Sequence, residues 1–110
     1  MRKLSIILAL AFLATIGFSS CGEKSLKGTS WKTDVVNSEY DIFRFTTDSK
    51  CSVELYSDND LDVVETGTYT YNHPNVTIDC GIDLIFTGSV SGNKMTLLND
   101  DGFTVIATKQ

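Results

Sequence analysis

From residue 30 to the end, the chain alternates apolar and polar residues, and turn-forming residues interrupt the alternation every eight to twelve positions. A period of two is typical of strands with one buried face, and turns at this spacing are typical of an all-β sandwich or barrel. Short strands joined by short turns pair as an antiparallel meander, and closing the meander removes both exposed sheet edges. We therefore predict an all-β, antiparallel up-and-down meander that closes into a small eight-stranded β-barrel.

Turn residues set the predicted strand boundaries. Asn, Asp, Gly and Ser dominate the joining segments, and the single proline, Pro74, lies in one of them. These residues tolerate the backbone angles of tight turns. The predicted strands span residues 30–36, 40–47, 51–57, 63–71, 76–80, 82–90, 94–98 and 103–109. At Gly81, one long bent strand with a bulge is an alternative to two separate strands.

The alternation also assigns each side chain to a face of the sheet. The residues predicted to point into the barrel are mostly aromatic or branched: Trp31, Phe43, Phe45, Val53, Leu55, Tyr69, Tyr71, Val76, Ile78, Leu84, Phe86, Met95, Leu97, Phe103 and Val105. The residues predicted to point outward are rich in threonine: Lys32, Asp34, Ile42, Arg44, Glu54, Thr66, Thr68, Thr70, Thr77, Asp83, Thr87, Thr96 and Thr104. We expect the inward set to fill the barrel, because an eight-stranded barrel is just wide enough for side chains.

The first 20 residues have the pattern of a secretory signal. Arg2 and Lys3 precede an apolar run over residues 4–18, and small residues follow it. This order of charge, apolar core and small residues is typical of a signal peptide, and the run is short for a membrane-spanning helix. We therefore expect residues 1–20 to be removed on export.

Cys21 directly follows the small residues Ser19 and Ser20, and Gly22 comes next. This arrangement resembles the lipobox of bacterial lipoproteins. The resemblance implies that the Cys21 thiol carries diacylglycerol and that the signal is cut just before it. Residues 21–29 are then a polar, flexible tether, and residues 30–110 are the barrel domain. Plain secretion, with Cys21 as an ordinary thiol, is the alternative.

Three further motifs resemble a known group of proteins. They are Leu26-Lys27-Gly28-Thr29-Ser30-Trp31-Lys32, Gly67-Thr68-Tyr69-Thr70-Tyr71, and Phe86-Thr87-Gly88-Ser89-Val90-Ser91-Gly92-Asn93-Lys94-Met95-Thr96-Leu97. Together with the lipobox they resemble the small lipocalin-like lipoproteins of Bacteroides-type bacteria. The resemblance implies a lipocalin-like barrel, a covalent lipid on Cys21 as the only added group, and a lipid-anchored place in the cell envelope, at the outer membrane and either periplasmic or surface-exposed.

The charge of the chain restricts its partners. Beyond the signal, seven basic residues stand against fourteen acidic ones. Nucleic acid requires basic patches, so a nucleic-acid partner is excluded. No second apolar run follows residue 18, which leaves the lipid on Cys21 as the membrane attachment. We expect a monomer that reaches the membrane through its anchor and binds an unknown protein or glycan.

The meander topology separates the charges between the two ends of the barrel, because alternate turns lie at the same end. One end collects carboxylates and no Lys or Arg: Asp34, Glu39, Asp41, Asp58, Asp60, Asp62, Glu65, Asp79, Asp83, Asp100 and Asp101. The other end, with both chain termini, collects Lys24, Lys27, Lys50, Lys94, Lys109 and His73 against Glu23 and Asp48. We predict a charge dipole whose basic end faces lipid headgroups.

The acidic turns suggest a binding site. Asp58, Asp60 and Asp62 begin like an EF-hand loop, but Val63 stands where glycine is required and Tyr69 where the bidentate glutamate belongs. A looser calcium site at Asp58, Asp60 and Asp62, completed by Asp100 or Asp101, is a further prediction. The residues that we predict to bind a ligand or partner are Asp58, Asp60, Asp62, Asp100 and Asp101.

Residues for enzymatic chemistry are sparse. The single histidine, His73, lies in a turn beside Pro74 and lacks a nucleophile or metal-ligand pattern around it. Cys51 begins one predicted strand and Cys80 ends another, so we expect about 15–20 Å between them and two free, inward-facing thiols. No catalytic residue is predicted, and no metal site other than the calcium site at Asp58, Asp60 and Asp62.

Three function classes remain. We favour a lipid-anchored, non-enzymatic binding module whose acidic end faces away from the membrane. The alternatives are a lipocalin-like carrier of a small ligand and an inhibitor of a basic external enzyme such as a lysozyme. A cavity would favour the carrier, whereas salt-sensitive binding of basic proteins would favour the inhibitor.

Overall fold

The structure, a computed structural model, describes residues 25–110, and their regular secondary structure is all strand. Consecutive strands pair antiparallel, and β1 pairs with β8, which closes the sheet into a barrel. The strands are β1 (Thr29–Thr33), β2 (Glu39–Phe45), β3 (Lys50–Ser57), β4 (Asp60–Asn72), β5 (Asn75–Asp79), β6 (Ile85–Ser91), β7 (Lys94–Asn99) and β8 (Thr104–Lys109). The predicted eight-stranded up-and-down β-barrel is confirmed. Within the described part of the chain, no helix has the length and hydropathy needed to cross a membrane.

The folded domain begins before the predicted boundary at residue 30. Leu26 is 0% exposed and belongs to the hydrophobic core. Its carbonyl oxygen accepts hydrogen bonds from the Thr29 N–H at 3.0 Å and from Thr29 Oγ1 at 2.6 Å. The Gly28 N–H donates to the Phe45 carbonyl at 2.7 Å, which holds this turn against β2. Leu26 precedes the period-two alternation, so the sequence placed it in the tether. The predicted signal at 1–20 and the lipidated Cys21 lie outside the described residues.

β4 pairs with its two neighbours along different parts of its length. It has 13 residues, of which Asp60 to Thr68 pair with β3, whereas only Thr68 to Asn72 pair with β5. A bulge in the pairing with β3 leaves Asp62 without an opposite residue. The hairpin of β3 and β4 therefore extends past the end of β5. The sequence predicted a shorter strand over 63–71, because its acidic start has the composition of a turn.

Side chains fill the interior of the barrel. Phe43 and Phe86 meet edge to face with ring centroids 5.2 Å apart, and Phe45 and Tyr69 do so at 4.7 Å. Trp31 is fully buried, and its Nε1–H donates to Thr29 Oγ1 at 2.9 Å. The predicted inward residues that are buried are Trp31, Phe43, Phe45, Val53, Tyr69, Val76, Ile78, Phe86, Met95 and Leu97, and those partly buried against them are Leu55, Tyr71, Leu84 and Val105.

The inward prediction is wrong for Phe103, which is 69% exposed. Its position in the alternation matches the inward face, but β8 begins only at Thr104. Phe103 lies in the preceding turn, where the Asn99 N–H donates to its carbonyl at 2.9 Å and its own N–H donates to Asn99 Oδ1 at 3.1 Å. The turn therefore holds the ring outside the barrel.

The expected separation of the two cysteines is also wrong. Cys51 and Cys80 are free and buried as predicted, but their sulfur atoms are 3.8 Å apart. The prediction assumed that β3 and β5 span the same height of the barrel, which would put the start of β3 and the end of β5 at opposite ends. Instead, Cys51 in β3 lies opposite Gly67 of β4, while β5 ends at Asp79, which lies opposite the next residue, Thr68. The stagger along β4 thus brings the start of β3 and the end of β5 to the same place.

Candidate functional site

The acidic end of the barrel is the set of turns that join β1 to β2, β3 to β4, β5 to β6 and β7 to β8, with the strand ends beside them. In the closed meander these four turns follow alternate strands and so belong to the same end. The stagger along β4 nevertheless brings Cys80, where the turn between β5 and β6 begins, to within 3.8 Å of Cys51, the residue after Lys50 of the basic end. Eleven carboxylates and no Lys or Arg were assigned to these turns and strand ends from the sequence. At neutral pH such a surface attracts cationic partners and repels anionic ones.

The acidic end is divided in two by the length of the β3–β4 hairpin. Asp58 and Asp60 lie at the tip of this hairpin, where the Asp58 N–H donates to the Ser38 carbonyl at 2.8 Å. This contact joins the tip to the turn between β1 and β2. The turns between β5 and β6 and between β7 and β8 form the second part. Asp58, Asp60 and Asp62 of the predicted site therefore belong to one part, and Asp100 and Asp101 to the other.

In the second part, carboxylate oxygens of Asp83, Asp100 and Asp101 lie within 4.8 Å of one another. The Asp101 N–H donates to Asn99 Oδ1 at 2.9 Å, and the Asp100 N–H donates to the Ile85 carbonyl at 3.2 Å, which brings the two turns together. Asp83 was assigned to this end by sequence but was not among the predicted site residues. The calcium site at Asp58, Asp60 and Asp62 stays a prediction. Within residues 25–110, the three carboxylates whose oxygens lie close together are those of Asp83, Asp100 and Asp101 instead.

Large apolar side chains are exposed among these carboxylates. Ile82, next to Asp83, is 91% exposed, and Phe103 follows Asp101 by two residues. Val35 and Val36 are exposed in the turn between β1 and β2. Exposed apolar groups rimmed by polar ones are typical of protein interaction surfaces. The sequence missed this feature, since the alternation assigned Phe103 to the core and Ile82 to a strand.

A cleft of about 450 Å³ opens beside the turn between β1 and β2. It exists because β1 pairs with β8 only at Ala107 to Lys109, so the first residues of β8 have no partner on that side. Its lining residues include Thr33, Asp34, Glu39, Asp41, Val105 and Ile106. The volume lies in the range of small-ligand sites. Three carboxylates line the cleft, and the ammonium of Lys32 lies over the ring of Tyr40, a further lining residue. The cleft depends on strand register, which the sequence pattern did not specify.

Asp41 is the most perturbed carboxylate of the cleft. Burial raises its pKa above the ordinary value, and repulsion from Glu39 raises it further. The Asp41 N–H donates to Thr33 Oγ1 at 2.8 Å, which fixes its backbone at the edge of the cleft. A carboxylate that ionises reluctantly in a cleft is a candidate for contact with a positively charged group.

We expect Asp41→Asn to stabilise the barrel at pH 7. The folded pKa of Asp41 lies above its unfolded value, so ionised Asp41 destabilises the fold at neutral pH, and this cost vanishes once both states are protonated. Thermal unfolding of the variant at pH 7 should therefore show a Tm a few degrees above that of the parent, with no difference at pH 3. Asp34→Asn removes the same charge from an exposed position and should leave the Tm unchanged. An equal rise in Tm at pH 7 and pH 3 would show that the charge of Asp41 is not what destabilises the parent barrel.

The outer wall of β1–β3 carries a polar network that the sequence did not predict. Arg44 Nε donates to Glu54 Oε2 at 2.9 Å, and the Tyr56 hydroxyl donates to Glu54 Oε1 at 2.9 Å. These hydrogen bonds lower the pKa of Glu54. The rings of Tyr40 and Tyr56 stack with centroids 4.9 Å apart, and Lys32 Nζ lies 4.4 Å from the centre of the Tyr40 ring. The network joins β1, β2 and β3.

The opposite, basic end holds the first described residues, the C-terminus and the turns that carry Lys50, His73 and Lys94. His73 Nδ1 lies 2.6 Å from the Tyr71 hydroxyl oxygen, within hydrogen-bond distance. This pair makes His73 part of an exposed turn contact.

Comparison of the chain with protein-family models, with curated proteins and with solved structures finds no match.

Proposed function

We propose that the chain is an exported, lipid-anchored, non-enzymatic binding module that contacts a basic partner protein through the acidic end of its barrel. The observation that carries this proposal is the composition of the β5–β6 and β7–β8 turns, where Ile82 and Phe103 are exposed beside carboxylates. Among the described residues, these two turns hold Asp83, Asp100 and Asp101 and no Lys or Arg. Complementary charge speeds encounter and selects partners, while apolar side chains contribute affinity once water is excluded.

The arrangement of the two ends fits an anchor at Cys21. The first described residue, Ser25, lies four positions beyond Cys21, and Leu26 packs into the barrel at the basic end. A lipid on Cys21 would therefore hold the basic end against the membrane of the cell envelope. Headgroup attraction is worth up to about 1 kcal/mol for each basic residue near an anionic surface. The acidic end then points away from the membrane, toward partners.

Two alternative functions are compatible with the anchored barrel. An inhibitor of a basic enzyme, such as a lysozyme, would use the same acidic end. A lipocalin-like carrier would instead use the open cleft of about 450 Å³ beside the turn between β1 and β2. The filled interior of the barrel disfavours a carrier with its ligand on the barrel axis, because Trp31, Phe43 and Phe86 occupy that space.

The proposal predicts salt-sensitive binding of basic proteins to residues 25–110. A lysozyme and an acidic protein of equal size would be titrated against the immobilised domain at low and at high salt. We expect binding of the basic protein only, weakened roughly tenfold or more between the two salt concentrations. Asp101→Asn should reduce the association rate, whereas Asp48→Asn, the same charge change at the basic end, should not. Equal binding of both proteins, or no binding of basic proteins, would contradict the proposal.

A further inference from the structure

One edge of β4 has no strand beside it. Residues 60–67 of β4 pair with β3, but pairing with β5 begins only at Thr68. Among the described residues, none of the backbone hydrogen bonds formed outside the strand pairs involves residues 60–67. The barrel is therefore closed only over part of its height, and the β3–β4 hairpin presents unpaired backbone donors and acceptors along the remaining edge.

The side chains along this open edge suit the addition of another strand. Leu61, Val63 and Val64 are 50%, 43% and 46% exposed. Branched residues of this kind pack well against a neighbouring strand, and an exposed sheet edge recruits extended peptides through main-chain hydrogen bonds. An added strand would therefore supply hydrogen-bond partners for the backbone of residues 60–66 and apolar contacts for Leu61, Val63 and Val64.

The charge of the open edge identifies the kind of strand that fits. Asp60, Asp62 and Glu65 lie on it, and no Lys or Arg occurs anywhere between Lys50 and Lys94. A second copy of the chain would bring carboxylates against carboxylates, which destabilises strand pairing. The bulge at Asp62 also twists the edge away from a flat self-pairing geometry. A lysine- or arginine-bearing strand would complement all three carboxylates.

We propose that the open edge of β4, residues 60–66, binds an extended basic segment of a partner protein as an additional β-strand. This inference rests on the proposed function and specifies which part of the acidic end makes the main contact. Main-chain hydrogen bonds supply the affinity, Leu61, Val63 and Val64 supply apolar contacts, and the three carboxylates select a cationic sequence.

The test uses a synthetic peptide of alternating lysine and valine with the full chain in detergent. Two control peptides are matched to it: one replaces lysine with glutamate, and the other carries N-methyl groups that remove backbone donors but keep every charge. We expect the lysine peptide to slow amide hydrogen exchange in residues 60–66. The N-methylated peptide should bind roughly tenfold more weakly and give no protection, because strand addition depends on the backbone.

Matched variants distinguish strand addition at β4 from the proposed binding of basic proteins by the acidic end as a whole. The triple change Asp60→Asn, Asp62→Asn, Glu65→Gln should weaken peptide binding roughly tenfold, whereas Asp83→Asn, Asp100→Asn, Asp101→Asn, with the same charge change, should leave it within about twofold. The opposite ranking, or equal binding of the N-methylated peptide, would overturn strand addition while leaving an acidic binding end intact. Peptide protection of β4 without any binding of basic proteins would instead overturn the proposed function alone.

A second inference comes from an independent observation, the contact between Cys51 and Cys80. Their sulfur atoms are 3.8 Å apart inside the barrel. A Cβ atom placed on Gly67 would lie 2.7 Å from Cys80 Cα, so the missing side chain of Gly67 makes room for Cys80 beside Cys51. A disulfide needs the two sulfurs at about 2.05 Å, so a movement of less than about 2 Å would join them.

We infer that Cys51 and Cys80 form a disulfide when a small-molecule or protein disulfide is present as oxidant. One cysteine thiolate attacks the oxidant disulfide, which forms a mixed disulfide and releases one thiolate. The second cysteine thiolate attacks the protein sulfur of this mixed disulfide and releases the second thiolate. The two protons of the cysteines end on the two released thiolates, and the two electrons lost by the cysteines reduce the oxidant.

Burial determines when this exchange is fast. It raises the pKa of Cys51 to about 12, so very little thiolate is present in the folded barrel at neutral pH. We therefore expect the bond to form during folding, before β5 packs over Gly67, and to be slow to form in the closed barrel.

The test refolds the Cys21→Ser chain from denaturant with a mixture of oxidised and reduced glutathione, and in parallel with reductant only. We expect the oxidised sample to lose two hydrogens in mass, to yield a linked peptide that contains Cys51 and Cys80, and to melt roughly 10 °C above the reduced sample. Cys51→Ser and Cys80→Ser should each show no such difference. Two free thiols after oxidative refolding, or a linked form that melts below the reduced one, would overturn the inference.

Discussion

Replacing Trp31 with alanine should lower the free energy of unfolding by about 3–5 kcal/mol, a large share of the ~5–15 kcal/mol that stabilises a small domain. Trp31 is fully buried, and it is also where β1 meets both neighbours, opposite Phe43 in β2 and Lys109 in β8. Removing the indole leaves a cavity at the seam that closes the barrel. Denaturant unfolding followed by circular dichroism measures the change.

Lys32→Ala is the matched control for Trp31→Ala. Lys32 is the next residue of β1 and points to the outer wall, where its ammonium lies over the Tyr40 ring. Its loss should cost no more than about 1 kcal/mol. If Trp31→Ala unfolded at the same denaturant concentration as the parent, the assignment of the inward face of β1 and the closure at β8 would both be wrong.

The second large effect is expected from Gly88→Ala. A Cβ atom on Gly88 would lie 1.8 Å from the carbonyl oxygen of Thr96 and 2.8 Å from its carbonyl carbon, far inside contact distance. These atoms belong to the backbone of β7, so relief requires separation of β6 from β7. Backbone clashes in a closed sheet are among the few causes of very large destabilisation, and we expect a loss of roughly 3 kcal/mol or more.

Ser89→Ala provides the comparison for Gly88→Ala. Ser89 is the next residue of β6 and is exposed, so its change should alter the unfolding midpoint little. Gly67→Ala should behave like Gly88→Ala, because a Cβ there would lie 2.0 Å from the Asp79 carbonyl oxygen. If the glycine variants unfolded at the same denaturant concentration as Ser89→Ala, the close approach of neighbouring strands at Gly67 and Gly88 would not require glycine.

The period-two pattern predicted the architecture because every strand has one buried face. It identified Trp31, Phe43 and Phe45 as core residues for the same reason. The pattern failed at Leu26 and Phe103, because one lies before the first strand and the other in a turn, where alternation carries no information. In both cases hydrogen bonds of the turn decide where the side chain points.

Strand register explains why much of the candidate site could not be predicted. Which turns share an end follows from the meander alone, so the acidic end was predictable from the positions of its carboxylates. The approach of Asp83 to Asp100 and Asp101, the cleft at Asp41, and the contact of Cys51 with Cys80 all depend on how far each strand is shifted along the next. Composition and alternation leave that shift undetermined.

The pairing of β1 with β8 also sets the order in which the barrel is completed. The seam consists of Trp31, Lys32 and Thr33 against the last residues of the chain, Ala107 to Lys109. Contacts between such distant parts of a sequence form late, because the loss of chain entropy on closure precedes the gain in contacts. During folding, β1 therefore has only β2 as a neighbour until β8 reaches it. Until that moment Trp31, the largest side chain of the core, stays uncovered on the side that β8 closes.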